Sequence, residues 1–245
     1  MRLEPTRIED VPVPELSGLA MSGTRLLAIG DRKSVLAHAE LTDDRLAWTV
    51  VDLERYRLDG AQFEGIATAS DGTILVLRES PPRVHALDLD GERADTITLV
   101  AGDMFDESAS AGEGLVSLAE RRLLVAKEKD PPLLVEFGPT DGADTLQASS
   151  AWNVDGVKDI SDLAVSGGQL YCLSDQSRKV VVVDLPLDAD ADRARPTGEW
   201  ELDVPERDDE PDGKPEGLVV TDGGTLIVGL DTESPTANLV WYERP

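Results

Sequence analysis

Eight carboxylates recur at two fixed slots of this chain, and together they could hold a positively charged guest. The first slot lies in a short phrase written five times: "LSGLA" (16–20), "FEGIA" (63–67), "GEGLV" (112–116), "ISDLA" (160–164) and "PEGLV" (215–219). Its second position holds Ser17, Glu64, Glu113, Ser161 and Glu216. The second slot follows 14 or 15 residues later and is acidic every time: Asp31, Glu79, Glu128, Asp175 and Asp231. Three glutamates gathered at one narrow mouth would repel one another and would need protons or a cation to stay there. A hard divalent ion suits such donors, because Ca²⁺ accepts about six to eight oxygens with loose geometry. Glu64, Glu113 and Glu216 are therefore candidate metal ligands, with Ca²⁺ ahead of Mg²⁺, and no organic cofactor is expected. Asp162 takes the glycine position of the fourth phrase and adds a fourth carboxylate to that set.

The second-slot acids have two uses open to them. They could bind a small-molecule or cationic ligand, a set comprising Asp31, Glu79, Lys127, Glu128, Asp175 and Asp231. They could instead accept hydrogen bonds from backbone N–H groups of neighbouring loops and tie the units together. Arg78 and Lys127 directly precede Glu79 and Glu128, but strand alternation turns them to the opposite side. Lys214 and Lys158, close before Glu216 and Ser161, are better placed to neutralise the mouth.

Two classes of function fit this chemistry. One is a binding or sensing protein that holds a divalent cation and, with it, a cationic or metal-bridged ligand. The other is a metal-dependent hydrolase of a phosphoester, ester or lactone, with Glu79 or Glu128 as general base. An anionic substrate would need the metal and Lys127, Lys129, Arg32 and Lys214 to offset the surrounding field. The binding function is preferred.

The elements that must position these residues follow from the period. Steps of 47, 49, 48 and 55 between first-slot residues account for the 245 residues as five units. A period of that size, with several short strands per unit, predicts a propeller rather than a helical solenoid. The second unit shows the plan: "GIATAS", a "DG" turn, "TILVLRE", a break at "SPP", "RVHALDL", another "DG" turn, then "ADTITLV". Four strands make one blade. The last unit stops one strand short, and residues 3 to 11, "LEPTRIEDV", can supply it, with Pro5 tolerated on an outermost strand. The expected fold is thus all-β, a five-bladed β-propeller with four antiparallel strands per blade, closed by the N-terminal strand completing the last blade. It forms one domain over 1–245, with units starting near 15, 62, 111, 159 and 214.

The bulk composition narrows the partners. A formal charge of −26, from 23 Lys and Arg against 49 Asp and Glu, repels nucleic acid and anionic membranes. No window approaches the roughly 20 apolar residues of a membrane span. The charged N-terminus lacks a signal-like apolar stretch, which predicts a cytoplasmic protein. Cys172 is the sole cysteine and reads as a buried strand residue. His38 and His85 fall in third strands and read as packing residues, as do Trp48 and Trp200 on outer strands. "LDADADRARP" (187–196) has alternating aspartates but lacks the glycine and terminal glutamate of an EF-hand, and reads as a third-to-fourth strand connection. The loops 101–113 and 202–216 are expected to reach over the carboxylate face.

As a set, "ELSGLA", "FEGIA", "GEGLVSL…LLVAKEKDPP", "DISDLAV…LYCLSDQSRKVVVVD" and "PEGLVV…LIVGLD" resemble the SdiA-regulated, or YjiK-like, family of bacterial β-propellers. More distantly, the "EG" strand opening is similar to that of esterase-like phytase propellers. The resemblance implies a propeller fold and a metal on the channel face at Glu64, Glu113 and Glu216. It implies no particular reaction. Many members carry a membrane anchor or export signal, which is not expected for this sequence.

Overall fold

The computed structural model describes residues 1–31, 34–58, 62–79, 82–102, 112–142, 144–205 and 213–244. The regular elements of its described residues are β-strands, apart from one 3-10 turn at Leu53–Tyr56 capped by the Asp52 side chain. Two short strands open the chain, β1 (Arg2–Leu3) and β2 (Pro5–Glu9). The first repeated unit then runs β3 (Leu16–Ser22), β4 (Arg25–Gly30), β5 (Val35–Glu40) and β6 (Thr49–Asp52). The second runs β7 (Phe63–Thr68), β8 (Ile74–Arg78), β9 (Arg83–Leu87) and β10 (Ala94–Val100). The third runs β11 (Leu115–Ala119), β12 (Arg122–Lys127), β13 (Leu133–Pro139) and β14 (Thr145–Val154). The fourth runs β15 (Asp162–Ser166), β16 (Gln169–Ser174), β17 (Lys179–Asp184), the short β18 (Arg193–Ala194) and β19 (Gly198–Leu202). The last has β20 (Lys214–Val220), β21 (Leu226–Asp231) and β22 (Leu239–Tyr242).

Within each unit the strands pair antiparallel in chain order, the short β18 of the fourth unit excepted. The "SDG" and "TDGG" turns are near-identical: Gly72 and Gly224 have φ of 91° and 89°, a conformation that disfavours any residue with a Cβ. The last unit is completed by β2, antiparallel to β22 with Ile8 opposite Val240. Unforeseen in the sequence, β1 joins a different unit, running parallel to β19 with Leu3 opposite Leu202. Residues 2–9 therefore fasten the fourth unit to the last. Outer strands also meet between other units: β10 pairs parallel with β14, merging the second and third units, and β18 of the fourth unit pairs with β14 as the ninth strand of that sheet.

The apolar core lies between units rather than within them. Middle strands such as β17, "KVVVVD", are buried on both faces, which explains their unbroken apolar runs, whereas the outer β10, "ADTITLV", is mostly exposed. Five clusters each draw on two consecutive units. One of them joins last to first, with Val219, Ile227 and Trp241 against Leu19, Leu26 and Ala28. The first strands touch in sequence, β3 on β7, β7 on β11, β11 on β15, β15 on β20 and β20 on β3. That circuit places the start of every repeated phrase around a common centre.

The outlying residues have structural partners. His85 is buried, its Nδ1 is 3.2 Å from the Thr96 hydroxyl, and burial lowers its pKa below the usual histidine value. His38 is likewise shifted down by burial. Trp48 packs into the last-to-first cluster, and Trp200 stacks on Tyr171 with Arg244 against both rings. The segment 187–196 joins β17 to β19, and the Asp188 carbonyl accepts the Trp152 indole N–H at 2.8 Å, linking it to the third unit. Cys172 is fully buried.

A carboxylate mouth built from the repeated phrase

Each phrase opens its unit's first strand with the same irregularity. Register shifts skip Ser17, Glu64 and Glu216, so the second position has no cross-strand partner. In the third unit Glu113 N–H donates to the Ala126 carbonyl, while Ala126 N–H returns to Gly114. In the fourth, Ser161 N–H donates to Leu173, which is also the ladder partner of Asp162. Two residues thus face one in all five units. Such a bulge re-aims the side chain of the extra residue, here away from the sheet.

The glycine that follows is demanded by the neighbouring unit. A Cβ on Gly65 would lie 2.7 Å from the Glu113 carbonyl, one on Gly114 2.8 Å from Leu163 N, and one on Gly217 2.7 Å from the Leu19 side chain. The first strands approach too closely to admit a side chain there.

At the bulged position the two residue types behave differently. The Ser17 hydroxyl donates to the Phe63 carbonyl at 2.6 Å, and the Ser161 hydroxyl to the Pro215 carbonyl at 2.7 Å. Each serine ties its unit to the next. The glutamates are ionisable instead, and their surroundings favour the protonated form. Burial raises the Glu64 pKa most, followed by repulsion from Glu113, Asp31, Glu79 and Glu216. Burial also raises that of Glu113, with Glu128 and Glu79 adding to it and Lys129 opposing. Glu216 is pushed up to about 8 by burial and by Asp231, against Lys214. Asp175 is raised by burial and Asp159. All eight carboxylates singled out in the sequence therefore interact at one end of the first strands. Among the described residues, no three carboxylates or histidines stand close enough to enclose one ion directly.

The cations are unevenly distributed. Lys129 Nζ donates to Glu128 Oε1 at 2.6 Å. Lys214 Nζ lies 3.7 Å from Glu216 and 4.0 Å from Asp231. The Lys127 ammonium donates to the Asp130 carbonyl at 3.0 Å. For Lys158 the structure shows its backbone N–H on the Ser177 hydroxyl at 3.1 Å. Arg32 and most of the two long loops, 103–111 and 206–212, lie outside the described residues. Tying of loops, one use open to the acids of this face, is performed by Asp159, which the sequence did not single out: both its oxygens accept Gln176 N–H at 3.2 Å, and the Ser174 hydroxyl donates to one.

Asp162 is fully buried, with its pKa held well above the usual range by burial. Its oxygens accept N–H from Leu163 at 2.8 Å, Leu218 at 2.7 Å and Leu19 at 3.4 Å. Beyond it, at the other end of the first strands, lies a cavity of about 250 Å³ with Met21, Thr68, Ser117 and Val220 in its wall.

The phrases at the mouth belong to a recognisable pattern: a model of the SdiA-regulated family matches residues 14–227. The chain belongs to the SdiA-regulated family. Like the fold expected of that family, it is a β-propeller. It is similar in structure to glutaminyl cyclase of Myxococcus xanthus, with a TM-score of 0.69 at 17% identity over 99% of this chain and 97% of that one. It also aligns with hydrazine synthase of Kuenenia stuttgartiensis, with a TM-score of 0.49 at 14% identity over 90% of this chain and 57% of that one. At such identities the likeness concerns the fold alone. No curated protein matches the chain by sequence.

Proposed function

We propose that this SdiA-regulated protein is a five-bladed propeller that binds a divalent cation, Ca²⁺ ahead of Mg²⁺, without catalysis at its carboxylate mouth. The observation that carries this is the convergence of Glu64, Glu113 and Glu216, each on a bulge, each with its charged form disfavoured by burial and by the other acids. These three are the proposed ligands, reached in part through water of the ion, since no three such groups among the described residues stand close enough to enclose it directly. Asp31, Glu79, Glu128, Asp175 and Asp231 surround them and would receive water molecules of the ion or a cationic ligand, with Lys127 at the margin. Hard oxygen donors with excess negative charge suit Ca²⁺, which keeps some of its water where protein oxygens do not close around it. Asp162 is assigned a different part, because its oxygens already accept three backbone N–H groups.

Bound Ca²⁺ would replace protons on the glutamates. Melting of metal-free protein in added CaCl₂, MgCl₂ and spermidine, each against NaCl of matched ionic strength, tests this. The proposal expects Ca²⁺ to raise the Tm most and Glu113→Gln to remove the effect. Equal shifts by Ca²⁺ and NaCl would overturn it, and a rise with spermidine alone would make the guest an organic ammonium. Hydrolysis with Glu128 as base is less favoured, since Lys129 already occupies that carboxylate, which leaves Glu79 for the part. Release of product from phosphoester or lactone substrates with Ca²⁺, lost in Glu113→Gln, would establish it.

A further inference from the structure

We infer that Ser161 and Asp162 of β15 form a positioning pair that grips the backbone on both sides of Glu216 and sets where that carboxylate stands. In the other four units the position of Asp162 is Gly18, Gly65, Gly114 or Gly217, and the contacts at three of these leave no room for a side chain between first strands. The Asp162 side chain is accommodated because it turns along the centre, where the first strands present N–H groups on the edge away from their ladder partners. Its three donors, Leu19, Leu163 and Leu218, occupy the same position of the phrase in three units, directly after the glycine slot. One carboxylate thus links equivalent amides of β3, β15 and β20.

The neighbouring Ser161 adds the complementary bond. Its hydroxyl donates to the carbonyl of Pro215, one residue before Glu216, while Asp162 accepts from Leu218, two residues after it. The bulged residue is therefore bracketed by an acceptor and a donor on its own backbone. Both partners come from the preceding unit. Ser17 has the hydroxyl bond to Phe63 ahead of Glu64, but Gly18 follows it, so Glu64 has no corresponding carboxylate grip. Removing either member of the pair would let β20 shift against β15 and carry Glu216 with it.

The effect on cation binding rests on the function proposed above, whereas the grip itself does not. Hydrogen exchange on metal-free Asp162→Gly, which removes both acceptor oxygens and restores the residue found at this position in the other four units, tests the grip. Amides of Leu218 and Leu19 are expected to exchange at least tenfold faster, with Val181 in the outer part of the fourth unit unchanged. Asp162→Ala, which likewise removes both oxygens, serves the same purpose if the glycine variant does not fold, and Asp162→Asn, which keeps one acceptor, is expected to show the smaller change. A titration with Ca²⁺ alone, well below the Tm, then compares Asp162→Gly or Ala and Ser161→Ala with Val228→Ala, a core truncation chosen to lower the Tm similarly. The pair variants should weaken binding several-fold and Val228→Ala should not. Unchanged exchange at Leu218 and Leu19 in a folded variant would overturn the grip, and equal weakening by Val228→Ala would overturn the positioning role. Absence of Ca²⁺ uptake by the wild type would remove the cation function and leave the exchange result to decide the pair.

Discussion

The bulged slot of the repeated phrase is used in two opposite ways. Where it holds serine, as at 17 and 161, the short hydroxyl reaches the carbonyl of the next unit and closes a joint. Where it holds glutamate, as at 64, 113 and 216, the side chain is ionisable and its half-buried place among other acids favours the protonated form. One backbone device serves cohesion in the serine units and, in the function proposed, binding in the glutamate units, and side-chain length and charge decide which. The serine units stabilise the ring, and the glutamate units draw on that stability to hold carboxylates where water alone would not favour them.

The contrast has an outer limit, since both uses presume a closed ring. Deleting residues 1–9 removes β1 and β2 together, exposing β22 and β19 at once. The expected outcome is loss of the cooperative thermal transition. Retention of full thermal stability would show that the slots do not depend on closure.

The next largest effect concerns pH. Unfolded glutamates lose their protons near pH 4.3, whereas folded Glu216 does so at about 8 and Glu64 and Glu113 are also raised. Between those values the folded state binds more protons than the unfolded one, so stability falls as pH rises. The contribution is fully present below about pH 4 and is lost as pH rises through about 8 for Glu216 and Glu113 and about 10 for Glu64. Metal-free protein should therefore melt progressively lower from pH 5 to pH 8, and the Glu64→Gln, Glu113→Gln, Glu216→Gln triple variant should flatten that slope. A slope unchanged in the triple variant would place the titrating groups elsewhere.

The serine side of the comparison predicts a smaller, pH-independent cost. Ser17→Ala strands the Phe63 carbonyl and should lower stability by about 1–3 kcal/mol in a denaturant titration, as expected for a buried group left unpaired. The smallest effect is at the rim, where the Lys129 side chain is 47% exposed. Lys129→Ala should change stability by less than about 1 kcal/mol while strengthening Ca²⁺ binding, because it frees Glu128. Weaker binding in that variant would mean the lysine helps hold the guest.

Much of this organisation was legible because it repeats. The phrase, the acidic slot 14 or 15 residues on and the missing last strand are periodic features, and antiparallel pairing alone brings Asp231 opposite Lys214, next to Glu216. The family followed from the same residues. What escaped the sequence depends on contacts between units. The bulges look like ordinary strand residues until the register is seen. Nothing in "RL" near the N-terminus distinguishes pairing with β19 from pairing with β22. Asp162 looked like one more acid at the mouth, and only the close approach of three first strands turns its oxygens to their amides. The one available signal was local: Asp162 alone breaks the glycine column, and a residue that breaks such a column must be accommodated by something.

Isothermal titration of metal-free wild type with CaCl₂ at pH 8, beside the triple glutamine variant, tests the central claim most directly. The account predicts saturable uptake by the wild type, accompanied by proton release that scales with buffer ionisation enthalpy. It predicts no uptake by a triple variant that is itself more stable than the metal-free wild type. Uptake that survives the triple substitution, or a wild type that takes up nothing and gains no stability when its three glutamates are neutralised, would contradict it.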